Sequence, residues 1–163
     1  VLRGPPIDKL TITVSKRQYL FMDCRGQSRE IDPCLTYSNL SDPLRSTFQQ
    51  PRQTDTLLCD RYLVQGWYRF LDGLIPTTCI EPFRCGTQAP IWMNGTIPSP
   101  RDGIVKRNTC VNARSGTDFA GTCCSITIPI DVRNCGEFVI YNLRNTPGCP
   151  MSYCVGKFHF ILS

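Results

Sequence analysis

Apolar and polar positions alternate in two segments of this chain, and there the alternation predicts strands. Leu10-Thr-Ile12-Thr-Val14 alternates strictly with β-favouring residues, and the apolar run Tyr19-Leu20-Phe21-Met22 follows it. Trp67-Tyr68-Arg69-Phe70-Leu71 reads as a short aromatic strand that stops at the turn signal Asp72-Gly73. Ser125-Ile126-Thr-Ile128-Pro-Ile130-Asp-Val132 alternates with one apolar face, and Pro129, which has no N–H to donate, predicts an edge strand or a bulge there. Arg133-Asn134-Cys135-Gly136 supplies a turn, Glu137–Leu143 returns as a second strand, and Lys157–Leu162 is a last candidate strand. Proline and glycine interrupt residues 82–103, which predicts turns and short pieces, while the polar stretch Thr47–Thr56, broken by Pro51, reads as loop. No stretch sustains the 3.6-residue period; a helix of two or three turns at residues 42–48 or 55–64 is the most the pattern allows. The expected fold is mainly β: a disulfide-stapled, β-sandwich-like domain with short helical pieces and an extended N-terminal β arm.

Cysteine usage sharpens that picture. The 163 residues contain 11 cysteines, one before residue 34 and the rest between Cys34 and Cys154. Thiols at such density point to disulfides formed outside the reducing cytosol, and zinc is disfavoured because no C-x-x-C pair occurs. The uneven distribution predicts an arm at residues 1–31, a possible donor strand with a link near Arg25-Gly26-Gln27-Ser28, and a stapled domain at residues 32–163. Gly4-Pro5-Pro6 at the head of the arm reads as extended and flexible. The odd count leaves Cys24 to pair with another segment, to pair between chains, or to stay free. Cys123-Cys124 would point to opposite faces of an extended chain and therefore reach different partners.

Charge and hydropathy add exclusions. With 41% hydrophobic and 19% charged residues the chain is expected to fold. The net charge of +5 is spread over separated cations such as Arg45, Arg61, Arg101, Lys106 and Arg107, which fits a solvated surface with room for a weak preference for acidic glycans, and speaks against nucleic acid. No apolar run approaches the roughly 18 residues needed to cross a bilayer. The chain opens at Val1 without a charged-then-apolar leader and is expected to be mature or fragment sequence.

The motifs Asp32-Pro33-Cys34, Arg45-Ser46-Thr47, Cys59-Asp60 and Gly66-Trp67-Tyr68-Arg69-Phe70 resemble the ten-cysteine decoy-module domain found in uromodulin, the zymogen-granule membrane glycoprotein and the oncoprotein-induced transcript proteins. The resemblance continues through Arg84-Cys85, Ala89-Pro90-Ile91-Trp92-Met93-Asn94-Gly95-Thr96, Asp102-Gly103-Ile104-Val105, Cys123-Cys124, Val139-Ile140-Tyr141-Asn142-Leu143 and Tyr153-Cys154. It covers residues 32–154, with all ten cysteines in order. It implies bridges Cys34–Cys135, Cys59–Cys149, Cys79–Cys123, Cys85–Cys154 and Cys110–Cys124, with Cys24 left over.

Two N-glycosylation sequons stand out, Asn39-Leu-Ser41 and Asn94-Gly-Thr96; Asn108-Thr-Cys110 is a marginal third. The resemblance implies a soluble decoy that offers mannose-rich glycans to microbial lectins from a position matching Asn142. Here Arg144 stands where Ser or Thr is required, so that sugar cannot be attached. The arm residues Leu10, Ile12 and Val14 suggest another role, completion of a neighbouring copy's sheet, with pairing to the chain's own sheet as the alternative. Head-to-tail exchange of that kind builds filaments when the rotation does not close. His159, the single histidine, lies between Phe158 and Phe160; with no nucleophile motif, phosphate loop or metal-ligand cluster, no catalytic, cofactor-binding or metal site is expected. The expected protein is a secreted, extracellular structural glycoprotein subunit that binds other copies of itself, or alternatively a glycan-presenting decoy. N-linked glycans are its only expected addition.

Overall fold

The computed structural model describes residues 20–22, 28–113 and 122–156. The chain divides into two compact units, residues 1–36 and 37–163. In the first unit, strands β1 (Leu20–Met22) and β2 (Ser28–Glu30) pair antiparallel, with Leu20 opposite Glu30. Ser28, read from sequence as part of a link, opens β2. A 3₁₀ turn at Pro33–Leu35 follows, capped by the Asp32 carboxylate, which accepts the Cys34 N–H at 2.9 Å. Gly4-Pro5-Pro6, the alternating Leu10, Ile12 and Val14, Cys24, His159 and the candidate strand Lys157–Leu162 lie outside the described residues.

The second unit is one seven-stranded sheet, so its described strands are gathered in a single curled layer. Its strands are β3 (Ser38–Leu40), β4 (Gly66–Phe70), β5 (Ala89–Asn94), β6 (Ile104–Val111), β7 (Ile126–Asn134), β8 (Val139–Leu143) and β9 (Met151–Tyr153). They lie in the order β3-β4-β8-β7-β6-β5-β9. The two outermost pairings, β3 with β4 and β5 with β9, are parallel; the inner ones are antiparallel. Just past β9, Ser46 bridges Val155 and Leu74 bridges Gly156, so the chain curls over that end of the sheet. The close approach explains Gly73, whose φ of 155° lies where only glycine is comfortable and whose missing Cβ would overlap the Gly156 carbonyl.

Period-two alternation sends Ile91, Val111, Ile130, Val132, Tyr141 and Leu143 to the covered face, each fully buried. Tyr141 and Tyr153 bring phenols into that interior. Burial pushes both well above the ordinary tyrosine value, and each hydroxyl keeps one backbone partner: Tyr141 accepts from the Ile75 N–H at 3.3 Å and Tyr153 donates to the Arg144 carbonyl at 2.9 Å.

Several sequence expectations change here. Residues 82–103 do hold turns and short pieces, but one of those pieces is the six-residue strand β5, which the pattern did not mark, and β6 follows unmarked at Ile104–Val111. Pro90 hid β5, although it sits in the ladder opposite Ser152. The polar run Lys106-Arg107-Asn108-Thr109 hid β6. Strand β7 is interior, flanked by β6 along its length and by β8 from Asp131 onward. Pro129 lies on the stretch β8 does not reach, so on that flank its missing N–H breaks no ladder. The two candidate helices shrink to single 3₁₀ turns, Pro43–Arg45 and Asp60–Tyr62.

Arg45, grouped by sequence with the solvated cations, is instead buried, with 6% of its surface exposed. Its guanidinium forms a bidentate pair with Asp60, both bonds 2.7 Å, and also donates to Ser152 Oγ at 3.0 Å. Asp60 accepts the backbone N–H of Tyr153 at 2.8 Å, and the Arg45 carbonyl accepts the N–H of Val155 at 2.8 Å. One ion pair thus fastens both 3₁₀ turns to the last strand.

Candidate functional site

The functional candidates of this chain are its bridges, its asparagines and the sheet edge at β3. Four bridges join Cys59 to Cys149, Cys79 to Cys123, Cys85 to Cys154 and Cys110 to Cys124, with Cα separations of 5.3, 5.6, 5.3 and 4.6 Å. Cys34 and Cys135 are also disulfide-bonded. The neighbours Cys123 and Cys124 do reach different partners, but not by strand alternation: Cys123 has a φ of 54°, a left-handed kink that turns the chain between the two sulfurs. Trp92 fixes this corner by donating its indole N–H to the Cys123 carbonyl at 2.7 Å.

Asn94 is the last residue of β5, exposed, and opposite Asn108 of β6. The chain leaves it through Gly95, at a φ of 143°, where a Cβ would press on the Arg107 side chain. Arg107 in turn donates through Nε to the Thr96 carbonyl at 2.9 Å, which holds the sequon backbone in place. Asn39 is exposed in the middle of β3, opposite Arg69, and its sequon hydroxyl, Ser41 Oγ, donates to Asp72 at 2.8 Å. Asn142 is half-buried in β8, where its amide donates to Asp131 Oδ2 at 3.3 Å. Strand β3 ends the sheet, and among the described residues no strand pairs with its outer side.

A family model described as the uromodulin-like D8C domain matches residues 68–155, the stretch that runs from β4 through the Cys85–Cys154 bridge. The chain belongs to the uromodulin-like D8C domain family. Its relatives include the pancreatic secretory granule membrane major glycoprotein GP2 of Canis lupus familiaris, 40% identical over 131 residues, covering 78% of this chain and 24% of that protein. The Homo sapiens protein of the same name is 36% identical over 127 residues, covering 76% of this chain and 22% of that protein. Uromodulin of Rattus norvegicus is 37% identical over 142 residues, covering 82% of this chain and 20% of that protein. The chain therefore spans about a quarter or less of the length of these relatives.

Among the described residues of this D8C domain, no group of His, Cys, Asp and Glu is placed to hold a metal ion, and no helix is long and apolar enough to cross a membrane. The Arg45–Asp60 pair escaped the sequence reading, which grouped Arg45 with the separated surface cations and gave Asp60 no partner. Their only shared signal was position, each lying within a motif that carried the family resemblance.

The D8C fold also gives a direct check on the absent sequon. In the variant Arg144→Ser, Asn142-Leu-Ser becomes an acceptor, and expression in a glycosylating host should add one glycan to the intact mass. An unchanged mass would mean that the position refuses sugar for a reason other than Arg144.

Proposed function

We propose that this chain is a secreted structural glycoprotein module that assembles with copies of itself in the extracellular space, its N-terminal arm adding to the sheet of a neighbour. The observation that carries the reading is the outer side of β3, with which no strand pairs among the described residues, an edge that β-addition can extend through backbone hydrogen bonds. The alternation Leu10, Ile12, Val14 gives the arm the side-chain pattern such an added strand needs. The family membership supports the secretory setting, since one relative is named as a glycoprotein of a secretory granule membrane. No enzymatic role is proposed.

The test is the variant Ile12→Lys, which leaves every cysteine in place. In sedimentation and negative-stain electron microscopy the natural chain should form regular polymers and the variant should not. Polymers that persist in the variant, or a natural chain that stays monodisperse, would overturn the reading.

Glycan presentation is the second reading, favoured by the exposure of Asn94 at a strand end and of Asn39 on β3. A fimbrial lectin that captures the glycosylated protein and releases it with free mannose would support it.

A further inference from the structure

Asn142 lies in a row of side chains that neither the assembly reading nor the glycan reading uses. In β4, Tyr68 and Phe70 pack on the core; in β7 and β8, Val132 and Tyr141 are buried there. Alternation then turns Trp67, Asp131 and Asn142 to the other face of the sheet. The register sets them side by side: Trp67 opposite Asn142, Asn142 opposite Asp131, and Asp131 opposite Lys106 on β6. The row crosses four adjacent strands, about 14 Å at ordinary strand spacing, which is longer than one pyranose ring.

Each member of the row has binding capacity to spare. Trp67 is half-buried, and its indole N–H has no protein partner among the described residues. The bond from Asn142 Nδ2 to Asp131 Oδ2 fixes both groups, while the Asn142 amide oxygen and Asp131 Oδ1 are left to accept hydrogen bonds. Lys106 is exposed and has no ion pair among the described residues, although it stands opposite Asp131. Because Arg144 removes the sequon, Asn142 itself carries no sugar to cover the row.

We propose that this row is a binding site for an oligosaccharide that carries a carboxylate or sulfate group. An aromatic face beside an ordered amide–carboxylate pair matches a pyranose, whose C–H edge packs on the ring while its hydroxyls meet the polar pair. The ammonium of Lys106, one strand further along, takes the anionic group. The site is distinct from strand exchange, which uses the edge of the sheet and not its face, so the two can fail separately.

Calorimetric titration of the intact chain with hyaluronan tetrasaccharide, whose glucuronates supply the charge, tests the site against chitotetraose as the neutral counterpart. The expected result is measurable binding of hyaluronan tetrasaccharide and weaker binding of chitotetraose. Trp67→Ala should weaken both by about tenfold or more, and Lys106→Gln should erase the difference between them. Asp131→Asn, a near-isosteric change outside the core, should also weaken both probes, and it serves as the decisive variant if Trp67→Ala fails to fold. Arg144→Ser, once glycosylated at Asn142, should block the row entirely. Equal affinity for the two probes, no heat from either, or affinities untouched by Asp131→Asn and Trp67→Ala would overturn the proposal.

Discussion

Replacing Asp60 by alanine should be among the most damaging single substitutions in the domain, at about 3–5 kcal/mol of folding stability. The reason is what stays behind. Arg45 would remain buried with its guanidinium stripped of a bidentate partner, and its Nε already lacks a hydrogen bond. The Tyr153 N–H would lose its acceptor at the same time. The effect should therefore spread from the Asp60–Tyr62 turn into β9. Arg45→Ala is expected to cost a similar amount, since Asp60 is then the unpaired buried charge. The double variant Arg45→Met/Asp60→Leu should recover much of the loss, because removing both charges together removes the desolvation problem. Urea midpoints of the four proteins would show this directly. If each single variant loses less than about 1 kcal/mol, the pair behaves like a surface salt bridge and the assignment of its structural role is wrong.

How far the sequence could be read depended on whether the signal was local. Strand β4 was legible from its aromatic run and the Asp72-Gly73 turn signal that follows, and β7 and β8 from the alternation of Ile126–Val132 and the turn that separates the two strands. β5 and β6 were not, since Pro90 and the polar stretch 106–109 contradict strand propensity and only pairing with β7 and β9 holds them in place. The interior position of β7 was hidden for a related reason: Pro129 argues for an edge, and nothing local says that β8 stops short of it. Of the candidate site, the sequons at Asn39 and Asn94 are short motifs and could be read at once. The row Trp67, Asn142, Asp131 and Lys106 could not. Its members are far apart in the chain and become neighbours only through the strand order and register.

The second large effect is expected from Cys85→Ala/Cys154→Ala. These sulfurs close a separation of 69 residues, and restricting the unfolded chain to that extent is worth about 4.4 kcal/mol in the loop-entropy account. The same account gives about 3 kcal/mol for Cys110–Cys124, which closes only 14. Burial widens the difference: Cys85 and Cys154 are both fully covered, so replacing them leaves a void at both sulfurs, whereas in the shorter bridge Cys110 is buried but Cys124 is exposed. Denaturant midpoints for the two double variants should rank in that order. Equal losses would mean that the longer loop is already restrained by other bonds in the unfolded chain. Location adds a further consequence. Cys154 directly follows β9, one residue from the Tyr153 N–H that Asp60 holds, and its own N–H donates to the Ile91 carbonyl at 3.0 Å. Bridge and ion pair therefore restrain the same strand from two sides, and their removal should not be additive. Combining Asp60→Ala with the loss of this bridge should cost less than the sum of the two, because β9 can be released only once; additive losses would place the two restraints on independent parts of the fold.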